Sequence, residues 1–141
     1  MKSFKVLLFL VFGCALSNTC FADTSAKDSY IQAYSEYANR NTGLIAQGMV
    51  SEGISADEAG KRAQEFIAGA IECHVKYLDE YPISLQNTLY DTIANGGSYP
   101  DAESALKVVV AEAQFGNNKE LFQKFMEITS ASIGCLQNLA P

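Results

Sequence analysis

Tryptophan is absent from this 141-residue chain, and histidine occurs once, at His74. Those two shortages exclude a good deal. A lone imidazole has no second histidine three or four residues away with which to share a metal, and there is no Cys-x-x-Cys-His run to attach haem. The serine-nucleophile signature Gly-x-Ser-x-Gly is missing, as is a glycine-rich loop followed by lysine that could cradle phosphate. Asn95-Gly-Gly-Ser98 is too short for that role and reads as a connection. A zinc site would need Cys73 as a free thiolate. Positive charge is scarce too: ten Lys and Arg stand against sixteen Asp and Glu. An acidic surface repels phosphate backbones and anionic headgroups, so nucleic acid and membrane surfaces are disfavoured as partners. Past the N-terminus no apolar run approaches membrane length, the longest being Phe66 to Ile71.

What is present begins with a secretory signal. Lys2 and Lys5 form a short positive region, Val6 to Leu16 is an apolar core too short to span a bilayer, and Cys20-Phe-Ala22 supplies small residues for a peptidase. The expected signal peptide is therefore Met1 to Ala22, which leaves residues 23–141 as one domain exported to the periplasm or secreted. Val11-Phe-Gly-Cys14 resembles a bacterial lipoprotein box, an alternative that would place a lipid on Cys14. Phe12 is bulky for that pattern, and lipidation would leave Cys20, Cys73 and Cys135 as an odd set of thiols, whereas cleavage after Ala22 leaves an even pair. Without Lys2 and Lys5 the mature chain keeps eight basic residues, for a net charge near −8.

The periodicity throughout is helical. Ala59 to Tyr81 is predicted as the central helix, with Ala63, Phe66, Ala70, Cys73, Tyr77 and Tyr81 on one stripe and Ile67, Ile71, His74 and Leu78 on a second. Such an arc is wide enough for two neighbours. Lys61, Glu65, Ala68, Glu72, Lys76 and Asp79 take the opposite, solvated face. Ser55-Ala-Asp-Glu58 is a capping box that starts the helix, and Tyr81-Pro82 ends it. Ahead of it, Ser25 and Asp28 have capping-box spacing for a helix over residues 24–40, which continues past Gly43 to about Val50 as one broken helix. Behind it come a helix from Ile83 to Asn95 with Leu85, Leu89 and Ile93 inward, stopped by Gly96-Gly97, and one launched by Ser98, Pro100 and Asp101 with Ala102, Ala105, Leu106, Val109 and Ala113 inward. Asn117-Asn-Lys-Glu120 caps the last, whose stripes are Leu121, Phe125, Ile128, Ser132, Cys135 and Leu139 and, alongside, Phe122, Met126, Thr129, Ile133 and Leu136. The expected fold is all-α: a single compact bundle of about five helices with short connections.

Cys73 and Cys135 fall on the core stripes of the two widest-faced helices, which should therefore pack on each other and carry a disulfide. His74, beside Cys73 on an apolar stripe, reads first as a core-edge residue with its nitrogens hydrogen-bonded. Asp57-Glu58 belongs to a helix N-terminus, where the dipole favours negative charge, and Asp79-Glu80 to a solvated face. Tyr30, Tyr34 and Tyr37 recur at helical spacing. Tyrosine suits protein interfaces, but a helix must bury something, and rings packing the first helix onto the bundle is the plainer reading. Candidate binding residues are Tyr30, Tyr34, Tyr37 and His74, and no catalytic or metal-binding set is expected. The function expected from this is binding another protein, as an inhibitor, an immunity-type protein or a chaperone would, without catalysis or cofactor; a homodimer also fits. The alternative is a carrier of a small ligand or haem in an inter-helical cavity, with His74 and Met126 as the haem's axial pair.

Overall fold

The computed structural model describes residues 18–139. The expected signal peptide lies mostly outside them; its last residues, from Asn18, already belong to the first helix. Six helices follow: α1 (Asn18–Arg40), α2 (Thr42–Ser51), α3 (Ala56–Leu78), α4 (Ile83–Ala94), α5 (Tyr99–Phe115) and α6 (Lys119–Gln137). Asn41, between α1 and α2, keeps helical backbone angles (φ −87°, ψ −7°). These two are thus the single broken helix that the sequence suggests, and the bundle has five members when they are counted together.

The boundaries follow from local chemistry, though not always by the expected device. Gly53, at φ +96°, turns the chain between α2 and α3. Ser55 is extended at the start of α3 but its side chain caps nothing. Glu58 instead accepts from Arg62 Nε at 2.7 Å, so the expected capping box is replaced by an i,i+4 ion pair. α1 likewise starts upstream of Ser25, which sits inside the helix rather than capping it. The box does form at α5, where Asp101 Oδ2 accepts from Ser98 N at 2.8 Å and from Ser98 Oγ at 2.6 Å. At α6, Asn118 Oδ1 accepts from Leu121 N. α4 ends in a Schellman motif: Gly97 N–H reaches Thr92 O, Gly96 N–H reaches Ile93 O, and Gly96 takes φ +87°.

α1, α4, α5, α6 and α3 close a ring in that order, each packed on the next and α3 returning to α1. Inside it lies a core of Tyr30, Leu78, Leu85, Leu89, Tyr90, Ala102, Leu106 and Val110. α2 stands outside the ring against α3. With ten residues to α3's twenty-three, and four residues joining them, it covers only the first half of α3. The six residues assigned to the solvated face of α3 are all exposed, and Ala63, Ile67, Ala70, Cys73 and Leu78 are buried. α3 stops three residues early, so Tyr81 leaves the helix and stacks on Phe125 of α6 (centroids 5.9 Å apart). Asp79 is not simply solvated: Lys27 Nζ of α1 lies 2.5 and 2.7 Å from its two carboxylate oxygens.

α3 and α6 do pack on each other and carry the disulfide Cys73–Cys135, with Cα atoms 5.9 Å apart. α6 is less covered than its sequence suggests. Ile128 is its buried residue, while Met126 and Ile133 stand 48% and 49% exposed. The ring places α6 chiefly between α3 and α5, so Met126 and Ile133 of its second stripe turn outward, while Phe122 packs against the core.

Candidate functional site

The three tyrosines of α1 share a side but not a fate. Tyr30 is 1% exposed, Tyr34 half-buried, and Tyr37 reaches the surface at 39%. Packing the helix onto the bundle therefore accounts for Tyr30 and Tyr34, and only Tyr37 is open to a partner protein. α3 brings His74 to meet them. The Tyr30 hydroxyl lies 2.9 Å from His74 Nε2, and the Tyr34 ring stacks on the imidazole with centroids 3.9 Å apart. With its proton on Nδ1, the imidazole accepts at Nε2 from that hydroxyl.

Two other elements complete the cluster. Tyr99, the first residue of α5, contacts the rings of Tyr30, Tyr34 and Tyr37 and meets His74 edge-on. Tyr90 of α4 packs on Tyr30. Three of the seven tyrosines thus touch the one histidine, and Tyr37 and Tyr90 extend the cluster through Tyr99 and Tyr30. Tyr90, Tyr99 and Glu103 are not singled out by periodicity. For Tyr99 and Glu103 the signal was spacing on α5, where Tyr99, Glu103 and Lys107 recur every four residues along one side; Tyr90, on α4, had none.

Beside His74 the cluster opens into a cavity of about 200 Å³. Tyr30, Tyr81, Tyr99 and Phe125 supply aromatic walls, Leu89 and Leu106 aliphatic ones. Thr129, Glu103 and Lys107 bring polar groups to it. The volume is below the roughly 300–1,000 Å³ of drug-sized ligand sites, and too small for a porphyrin. Met126, the other suggested haem ligand, is exposed and does not line it. No family model, curated protein or solved structure matches this chain. Among the described residues no group of three His, Cys, Asp or Glu could hold a metal ion, and no helix is long and apolar enough to cross a membrane.

The electrostatics of the cluster are those of a desolvated site. Burial drives the Tyr30 and Tyr99 phenols well above their ordinary range and raises Tyr34 and Tyr81 as well. Burial also pushes His74 down to about 4, with the Glu103 carboxylate pulling weakly the other way. Tyr30, Tyr34, Tyr81, Tyr99 and His74 are consequently all neutral at pH 7. Unfolded, the imidazole titrates near 6.5. Between that value and about 4 the unfolded chain binds a proton that the folded one refuses, so stability falls as the pH drops through this window. The full loss should be about 3 kcal/mol, with none of it felt above about pH 7. Denaturant titrations from about pH 7 down to about pH 4 should show it. In His74→Gln, which has no imidazole, this component of the pH profile should vanish.

Proposed function

We propose that this is an exported protein that acts by binding a partner protein through α2. The observation behind this is the composition of that helix: Thr42–Ser51 contains no charged residue, and none of its residues is buried. Ile45, Ala46 and Met49 are half-covered by α3, while Leu44 and Val50 stand 67% and 44% exposed. A helix of a soluble domain normally turns charge and polar groups to water on its open side. Here that side is Gly43, Leu44, Gln47, Gly48, Val50 and Ser51, and the exposed Tyr37 lies about two turns upstream of Leu44 on α1. An uncharged, apolar shoulder outside the ring suits a contact with another protein. Export is supported by the N-terminal pattern and by a disulfide that an oxidising compartment would keep formed.

A second reading, a small-ligand carrier, is favoured by the cavity beside His74.

The shoulder is tested with Leu44→Glu/Val50→Glu. Both side chains are exposed, so thermal stability should stay within about 0.5 kcal/mol of the natural protein. A partner recovered with the natural protein from the envelope fraction should bind the variant at least about tenfold more weakly. If the partner is a second copy, sedimentation should show a dimer become a monomer. Unchanged affinity would remove α2 from the interface. The mass of the same preparation reads the processing: a chain starting at Asp23 is expected, and a lipid on Cys14 would contradict it.

A further inference from the structure

We propose that the cavity beside His74 binds a small organic cation, an alkylammonium with a compact apolar body, held between the aromatic walls and the Glu103 carboxylate. This rests on the small-ligand reading and gives it a chemical class. The walls come first. Tyr30, Tyr81, Tyr99 and Phe125 bring four π-systems to one space of about 200 Å³, the volume of some six or seven waters. Neutral aromatic rings attract a cation through their quadrupoles, more strongly where water is excluded. All of these rings are uncharged at neutral pH, as is the imidazole at the back of the cluster.

The formal charges that decide the sign are then Glu103 and Lys107. The Glu103 carboxylate acts on Tyr34, His74 and Tyr99 alike, raising the proton affinity of each. Glu103 also lines the cavity, so it is the charge that Tyr99 and the imidazole face there. Lys107 lies one turn further along α5, with its ammonium 3.3 Å from Glu103 and its side chain 68% exposed. That is a surface i,i+4 pair, weak enough for a competing ammonium to replace. Lys107 thus occupies, from the solvent side, the place that a ligand's charged end would take. An anion would meet Glu103 and the negative faces of the rings, and a neutral ligand would leave the carboxylate unused.

Three probes of nearly one shape separate the classes: choline, dimethylbutanol with a tert-butyl group in place of the trimethylammonium, and the anion pivalate. They are titrated into the full-length protein by calorimetry, with the His74 and Tyr99 ring resonances locating the site. Choline should bind at least about tenfold more tightly than dimethylbutanol. Glu103→Gln should abolish that ratio with helix content unchanged, since the side chain is 46% exposed and glutamine has nearly the same shape. Lys107→Met should strengthen choline binding by removing the competing ammonium. If dimethylbutanol or pivalate binds as well as choline, the cationic class is wrong and the cavity remains a ligand site. A choline preference that survives Glu103→Gln, or choline binding weakened by Lys107→Met, also overturns the proposal. Silence from all three probes removes the small-ligand reading with it.

Discussion

Removing the Cys73–Cys135 bond should lower the stability of the fold by about 4 kcal/mol. The two cysteines are separated by 62 residues, and joining them forbids the unfolded chain most of its extended conformations. The chain-entropy relation for a loop of that length gives the figure. Against the roughly 5–15 kcal/mol of an ordinary domain this is a large share. Here it holds α6, whose one buried residue is Ile128, to α3. Cys73→Ala/Cys135→Ala removes the bond without leaving a free thiol, and guanidinium unfolding measures the difference. The folded variant should keep its helical signal at low temperature while its midpoint falls sharply. A loss under about 1 kcal/mol would mean that packing alone holds α6 in place. Thiol titration of the folded natural protein should find neither Cys73 nor Cys135 reactive.

Tyr30→Ala should be comparably damaging, at about 3–5 kcal/mol. Tyr30 is buried at the point where α1, α3, α4 and α5 meet, with the rings of His74, Tyr90 and Tyr99 all within 6.0 Å of its own. Truncation leaves a large void that rigid aromatic neighbours cannot close. Tyr30→Phe isolates the hydroxyl. The ring stays, but His74 Nε2 loses its partner inside the cluster, at about 1–3 kcal/mol. Tyr37→Ala, at the exposed end of the same stripe, should lose far less. The decisive feature is the order, alanine worst and phenylalanine intermediate at position 30. A harmless Tyr30→Phe would mean that the hydroxyl–imidazole bond adds nothing to the fold.

The α3 pattern explains why so much of the bundle was legible in advance. Its charged positions recur on one side at 3.6-residue spacing, and a water-facing side chain needs no knowledge of neighbours to be placed. The two cysteines were legible for a related reason: both sit on wide apolar faces, and such faces must find each other. Capping was harder. Ser55 and Ser98 offer the same sequence signal, yet Glu58 has Arg62 one turn away and takes that partner instead, while Asp101 has no such competitor in reach and returns to Ser98. The far stripe of α6 shows the other limit. Met126 and Ile133 fit an apolar period, but whether a second helix covers them depends on ring order, which periodicity does not carry. The cavity was least legible, because its walls come from five helices and the α3–α4 turn rather than from one run of sequence. Tyr34 and Tyr37 reveal a stripe, and only folding brings Tyr99 and Glu103 to meet it.

The absence of tryptophan has a practical consequence for this cluster. Emission in this protein belongs to tyrosine, which also dominates its near-ultraviolet absorption, and five of its seven tyrosines form the cluster that includes His74. Ring circular dichroism arises where aromatic side chains are fixed in asymmetric surroundings, which describes the packed rings of Tyr30, Tyr34, Tyr90 and Tyr99. The molecule therefore carries its own optical gauge, placed at the cavity without a label. Protonating His74, opening the contact between α1 and α5, or seating a ligand beside Tyr99 would each alter the same spectral band. Unfolding of α6 alone would leave most of that band in place.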